Sequence, residues 1–145
     1  MACQLLEEPY LLAGGGATQI ALARHLRRFA EGFAGREQLA IEAFADALEI
    51  IPRTLAQNAG LDPLDSLLQT VAQQTTSNDP FPHHIGLNIE NKSPTNMVND
   101  GVVEPLRITR QVLAGATEAA LSVLRIDDVL WAKQDPTIPE LPEED

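Results

Sequence analysis

The stretch that decides the reading is Gly35-Arg36-Glu37-Gln38-Leu39-Ala40-Ile41-Glu42-Ala43-Phe44-Ala45-Asp46-Ala47-Leu48-Glu49-Ile50-Ile51-Pro52-Arg53-Thr54-Leu55-Ala56-Gln57-Asn58-Ala59-Gly60-Leu61-Asp62-Pro63. From Arg36 to Asn58 it has helical character between two glycines: Glu42, Asp46, Glu49, Arg53 and Gln57 recur every three or four residues. Nearly everything between them is Ala, Leu, Ile or Phe, so the pattern predicts a narrow water-facing stripe on a central helix wrapped by others. Pro52 lies inside this helix, lacks an amide hydrogen and is expected to bend or break it near Ile51. Gly60 fits a helix C-terminus. Asp62 as N-cap, Pro63 at the first helical position and Asp65 in the first turn announce another helix, with Leu64, Leu67, Leu68 and Val71 expected on one face.

Upstream, Ala13-Gly14-Gly15-Gly16-Ala17 is a glycine turn feeding an amphipathic helix. Its apolar residues Ile20, Leu22, Ala23, Leu26, Phe29 and Phe33 alternate with Arg24, Arg27, Arg28 and Glu31. Downstream, Gln73 to Pro82 reads as an exposed polar loop, Ile85 to Glu90 as a short strand, and Asn91 to Pro94 as a hairpin turn. Gly101 to Leu106 leads through Pro105, expected at the first helical position, into a helix ending at Leu124. Ile108, Val112, Leu113, Ala116, Ala120 and Val123 are expected on the inner face of that helix. Arg125 to Trp131 reads as a final extended segment, and the acidic, proline-rich residues 134–145 as a disordered tail. The fold class is therefore mainly α, a helical bundle with a small β-hairpin and a C-terminal extended segment, occupying residues 1–133.

The chain has 145 residues, 44% of them hydrophobic but only 4% aromatic, which allows one domain with an aliphatic core. Its formal charge of −11 argues against a nucleic-acid partner, because no broad cationic surface is available to meet phosphates. Lys92 and Lys133 are its only lysines; an acidic, lysine-poor surface suits a salt-rich cell, where self-repulsion is screened, as well as an ordinary acidic protein. Cys3 is the single cysteine, so no internal disulfide is expected and the cytoplasm is the predicted compartment. The first residues lack the charged start of a signal peptide, and no apolar run is long enough to span a membrane.

Candidate chemistry is sparse. The triple glycine serves either to pack two elements tightly or to let backbone approach a ligand, with the helix start behind it favouring an anion or a sugar hydroxyl. It is neither a Walker A loop nor a Gly-x-Gly-x-x-Gly fingerprint. Glu104, ahead of a helix start, is either a cap or an acceptor for ribose hydroxyls. His83 and His84 are adjacent, so on an extended loop they diverge and do not share a metal, and Asp127-Asp128 reads as a solvated pair rather than a magnesium site. Nothing supports a nucleophile triad, and neither a catalytic nor a metal residue is assigned.

The run from Gly35 to Pro63 resembles the group II chaperonins, the archaeal thermosome and its eukaryotic cytosolic relatives. It is flanked in order by Ala13-Gly14-Gly15-Gly16-Ala17, by Gly101-Val102-Val103-Glu104-Pro105-Leu106-Arg107 and by Arg125-Ile126-Asp127-Asp128-Val129, so the resemblance covers about residues 10 to 133. With the acidic composition it points to a halophilic archaeon. The resemblance implies the C-terminal half of an equatorial domain, the helical ATPase and ring-contact domain. It carries sugar and base contacts to Gly14 and Gly15, base contacts to Asn88 and Ile89, and ribose binding to Glu104, with ATP or ADP as ligand and Mg in the complete subunit.

The departures from the family are equally specific. The Gly-Asp-Gly-Thr phosphate loop and the metal-binding aspartates belong, in the family, to segments N-terminal to the matched one, as the client-gripping apical domain belongs elsewhere. Gln19 stands where relatives usually have an acid, and Asn91-Lys92-Ser93-Pro94 lacks their Thr-Gly. The expectation is a truncated chaperonin subunit related to ATP-dependent folding that does not hydrolyse ATP alone, since phosphoryl transfer depends on positioning and charge neutralisation at the phosphates. Its partners would be full-length subunits or its own copies, with unfolded proteins reached only through the complete complex. The alternative is a non-catalytic interaction module that docks through apolar faces exposed where the rest of the domain would pack.

Overall fold

The computed structural model describes residues 8–126. Cys3, Asp127-Asp128, most of the expected extended segment and the boundary and tail expected beyond residue 133 lie outside them. Within them the order is β1 (Leu11–Ala13), α1 (Ala17–Ala30), α2 (Arg36–Asn58), α3 (Pro63–Thr76), a 3-10 turn (Pro82–His84), β2 (Ile85–Asn88), β3 (Ser93–Asn96), β4 (Val103–Pro105) and α4 (Leu106–Leu124). The mainly helical class with small β elements is as expected.

Helix α2 spans the predicted residues, and its C-terminal end is set by local chemistry. Gly60 at φ 72° allows the Gly60 N–H to donate to the Gln57 carbonyl and the Leu61 N–H to the Ala56 carbonyl, the two bonds of a Schellman ending. One residue later Asp62 accepts from the backbone N–H groups of Leu64 and Asp65, with Pro63 at the start of α3. Such a cap stabilises a helix by about 1 kcal/mol.

The buried stripe of α2 is not the expected one. Ala45, Leu48, Glu49, Pro52 and Ala56 face inward, while Leu39, Phe44, Ile50 and Ile51 are exposed, so α2 is not wrapped on all sides among the described residues. Glu49, expected on the water-facing stripe, is 3% exposed. Its burial is supported by charge: Arg27 of α1 donates to Glu49 Oε1, and Arg53, one turn along α2, reaches Oε2 at 3.1 Å. Arg27 also holds Asp46 at 2.7 Å, and chiefly its bond to Glu49 raises its guanidinium above the ordinary value. Pro52 does not end the helix, which runs on to Asn58; its ring packs where Gly16 has no side chain, 2.6 Å from the position a Cβ there would take.

Helix α3 also differs from its predicted face. Leu67 is buried as expected, but it shares its stripe with Thr70 and Gln74, whereas Leu64 and Leu68 are exposed. The helix continues to Thr76, so the loop expected from Gln73 begins later. Gln74, read as exposed, is buried because each end of its amide is used. Its Nε2 donates to the carbonyls of Ala17 at 3.1 Å and Ile85 at 2.7 Å, and its Oε1 accepts from Arg24 at 3.4 Å. One side chain thereby joins α3, the start of α1 and β2.

The strands form two antiparallel pairs. The expected hairpin is β2 with β3, in the register Ile85↔Asn96, Gly86↔Thr95, Leu87↔Pro94 and Asn88↔Ser93. Its turn lies earlier than predicted, because Ser93 and Pro94 belong to β3. The second pair is β1 with β4, Leu11↔Pro105, Leu12↔Glu104 and Ala13↔Val103, and periodicity gave no sign of it in such short segments. Pro105 closes that strand instead of occupying the first helical position, and α4 begins at Leu106.

The chain divides after Arg110 into two compact units, the first holding every strand and the first three helices. In the second, the described residues continue α4, then turn back with Arg125 N–H on the Leu121 carbonyl and Ile126 N–H on that of Val123. Of the inner face expected for α4, Ile108, Val112, Ala116, Ala120 and Val123 are exposed and Leu113 is half-buried. Helical spacing tells which face is apolar and not what covers it.

Candidate functional site

The site is built around Gly14-Gly15-Gly16. Gly15 at φ 61° and Gly16 at φ 75° turn the chain from β1 into α1, and the Ala17 N–H closes the turn on the Gly14 carbonyl. Each glycine also meets a neighbour at backbone range. A Cβ on Gly14 would fall 2.9 Å from Val102 Cγ1, and one on Gly15 would fall 2.5 Å from Met97 Sδ and 2.8 Å from the Leu87 carbonyl oxygen. The Leu87 N–H donates to the Gly15 carbonyl at 2.8 Å and the Gly14 N–H to the Val102 carbonyl at 2.9 Å, binding the turn to β2 and to the residue before β4. The packing role of the triple glycine is thus directly visible, and it is what brings the hairpin, α2 and β4 to one place.

Two depressions meet at Gly15 and Leu55. The first, of about 610 Å³, is walled by Leu55, Leu87, Ile89, Met97 and Val102, with Asn88, Glu90, Asn91 and Asp100 at its polar side. The second, of about 450 Å³, lies among Gly14, Gly16, Gln19, Ile50, Ile51, Thr54, Asn58 and Glu104. All five residues singled out in the sequence therefore converge: Gly15, Asn88 and Ile89 on the first, Gly14, Gly15 and Glu104 on the second. Sequence reasoning passed over Leu55, Thr54 and Met97. Leu55 looked like ordinary helix interior, and Met97 lay between segments that carried a periodic signal.

Asn88 is already engaged. Its Oδ1 accepts from the N–H groups of Glu90 and Asn91 at 2.9 and 3.1 Å, shaping a turn in which Lys92 takes φ 52°, and its Nδ2 donates to Asp100 Oδ2 at 2.8 Å. Thr95 Oγ1 donates to the same Asp100 oxygen. These bonds, Thr95 first and Asn88 second, hold the Asp100 carboxyl below its ordinary value of 3.8. Asp79 is lowered in the same way, first by the Phe81 N–H and then by Asn96. A carboxyl with a depressed folded pKa contributes stability that is full above its unfolded value and is lost as pH falls through the folded one. Acidification below 3.8 should therefore release the Asn88 side-chain amide. Protection of the Asn88 side-chain amide, corrected for the intrinsic pH dependence of exchange, that did not fall as Asp100 is protonated would contradict this.

Glu104 pairs with Leu12 in the β1–β4 ladder, and its Oε1 accepts from Gln19 Nε2 at 3.4 Å. The second depression offers a partly apolar surface with one carboxylate acceptor, Glu104, and the first an apolar wall edged by Glu90 and Asp100, a combination suited to a flat ring and a hydroxylated group. His83 and His84 do not diverge on an extended loop: they occupy the 3-10 turn with ring centroids 4.5 Å apart, and Phe81 stacks on His84 at 5.2 Å. Among the described residues no group of three or more His, Cys, Asp or Glu is placed to hold a metal ion.

This fold and site define a mainly helical module with a glycine-built cleft, and the comparisons assign it. The TCP-1/cpn60 chaperonin family matches residues 1–134, and the chain belongs to that family. It is 53% identical over 129 residues to a thermosome subunit of Methanopyrus kandleri, covering 89% of this chain and 23% of the relative. To thermosome subunit alpha of Halobacterium salinarum it is 51% identical, covering 88% of this chain and 22% of the relative. The solved structure of an open-state monomer of a group II chaperonin from Methanococcoides burtonii matches with a TM-score of 0.74 at 40% identity, over 80% of this chain and 28% of that one. The chain thus spans about 23% of the length of the first of these relatives.

Proposed function

We propose that these residues are the base-and-ribose side of an adenine nucleotide site in a group II chaperonin subunit, serving ATP-dependent protein folding when the complete subunit is assembled. The observation that supports it best is the convergence of Gly14, Gly15, Asn88, Ile89 and Glu104 on depressions that share Gly15 and Leu55. In this reading Ile89 and the neighbouring apolar wall take the base, the glycine turn lies against the sugar, and Glu104 accepts from its hydroxyls. The phosphates and Mg are taken by family segments outside the matched region, so residues 8–126 by themselves supply contacts to the nucleoside of ADP or ATP rather than to its phosphates. Its partners are chaperonin subunits or its own copies, and unfolded proteins only through the complete ring. Its compartment is the cytoplasm, and its acidic, lysine-poor composition supports a salt-rich one. No helix among the described residues is long and apolar enough to cross a membrane.

Calorimetric titration tests the proposal. Adenosine and ADP should bind with affinities within about threefold of each other and without need of Mg, because the contacts lie on the nucleoside. Glu104→Gln should weaken both roughly tenfold or more, the usual loss for a hydrogen bond to a charged acceptor. A second reading, an interaction module without nucleotide, is favoured by the exposed Leu39, Ile50, Phe29 and Leu68. No nucleoside binding, together with sedimentation as an oligomer, would replace the first reading by the second.

A further inference from the structure

A further depression, of about 470 Å³, shares no residue with the two at the glycine turn. Its ionisable residues are Arg24, His25 and Arg28 of α1 and His83 of the 3-10 turn; no acid lines it, and Gln74 of α3 forms part of its wall. Such a grouping is unexpected in a chain where 21 acids face 10 lysines and arginines. The neighbouring Arg27 shows the ordinary outcome, holding both Asp46 and Glu49. Arg24 and Arg28 make no ion pair among the described residues, and one turn apart on one helix they repel each other. Asp79, whose charge reaches His83, has both oxygens in use, one on the Phe81 N–H at 2.9 Å and one on Asn96 at 3.0 Å. The helix C-terminus accounts for a cation at Arg28 but not for one at Arg24, nearer the middle of α1. Arg24 is also aimed. Its Nη1 donates to Gln74 Oε1 at 3.4 Å, and Gln74, 3% exposed, is itself fixed by the carbonyls of Ala17 and Ile85. That single bond leaves the rest of the Arg24 donor fork open.

We propose that this recess binds a small phosphate anion carrying two or more negative charges, held between the guanidinium groups of Arg24 and Arg28 with His25 and His83 as further donors. Guanidinium forks match phosphate oxygens in pairs, and Cβ atoms one helical turn apart, roughly 5 to 6 Å, suit two linked phosphates. The anion relieves a repulsion within α1 that the described residues leave unanswered. Free pyrophosphate and a diphosphate ester present the same chemistry. The site stands apart from the nucleoside reading above, since the two have no residue in common.

The test is a calorimetric titration of the full chain with pyrophosphate and with methyl diphosphate, at neutral pH, constant ionic strength and without divalent cations. It is repeated on Arg24→Gln, Arg28→Gln and Arg36→Gln, the last removing the same charge at the exposed start of α2, outside the recess. The native chain should bind pyrophosphate with a Kd below about 1 mM. Arg24→Gln and Arg28→Gln should each weaken it roughly tenfold, the loss expected for a hydrogen bond to a charged group, while Arg36→Gln should stay within about twofold. Saturating adenosine should change nothing. Equal binding of the methyl ester shows that an organic diphosphate fits as well as the free anion, and its exclusion assigns the recess to the free anion. Arg28 is exposed, so its variant should melt with the native chain; if Arg24→Gln unfolds through loss of its bond to Gln74, Arg28→Gln and Arg28→Glu decide. No pyrophosphate binding overturns the proposal, as does displacement by adenosine. An equal fall for all three variants overturns it too, because it marks attraction by net charge alone.

Discussion

Gly86→Ala should destabilise the first unit by about 3 kcal/mol or more, the upper end of what an added methyl does in a packed interior. Gly86 lies in β2 opposite Thr95, and a Cβ there would fall 2.7 Å from the Gly14 carbonyl oxygen, 2.8 Å from Met97 Cγ and 2.9 Å from Ala17 Cβ. The thioether can swing aside. The Gly14 carbonyl cannot, because it accepts from the Ala17 N–H at 3.0 Å while the Gly14 N–H is tied to Val102 at 2.9 Å. The hairpin must then lift off the glycine turn, breaking the Leu87-to-Gly15 bond and the wall of the first depression. Urea unfolding followed by far-UV circular dichroism would measure this, with Gly115→Ala as the opposite case. Gly115 lies in α4 with no atom within 4 Å of an added Cβ, and alanine there should stabilise by about 1 kcal/mol. An unchanged midpoint for Gly86→Ala would refute the packing described here.

The second large effect concerns the charges between α1 and α2. Arg27→Met should destabilise by about 3 kcal/mol, because Glu49 would stay 3% exposed with Arg53 as its remaining cation. Glu49→Leu should be milder. The two arginine side chains it leaves behind are 40% and 44% exposed, so water can take over their solvation, and Arg27 keeps Asp46. Combining both substitutions should recover most of the loss from Arg27→Met, since a buried ion pair is often replaced by apolar groups at little cost. A double mutant at least as unstable as the sum of the singles would show that Arg27 and Glu49 are not favourably coupled, contrary to this reasoning. Equilibrium denaturation of the four proteins at one salt concentration settles the comparison, and high salt should change it little because Glu49 is shielded from solvent.

Local chemistry was the most legible part of the sequence. Asp62 with Pro63, Gly60 and the Gly14 to Gly16 turn each act within four residues of themselves, and the bounds of α2 follow from the glycines around it. What was not legible is which face meets which. Glu49 is polar and on a helical stripe, yet it faces inward because Arg27, 22 residues earlier, comes to meet it. Gln74 stands in a polar run, yet the carbonyls of Ala17 and Ile85 need its amide. Leu39, Ile50 and Val112 have core-like periodicity and are exposed. The five candidate site residues were readable from a family resemblance, whereas the Gln19–Glu104 contact depends on β1 pairing with β4 across some ninety residues, a pairing of three-residue strands with no periodic trace.

Met97, 1% exposed and seated in the space that Gly15 and Gly86 leave, gives the site a chemical weak point. Burial should slow attack of peroxide on its sulfur, and a sulfoxide there would place an oxygen in a space already filled. Oxidation of this thioether should therefore favour the lifted hairpin, which ties the shape of the cleft to the redox state of a single sulfur.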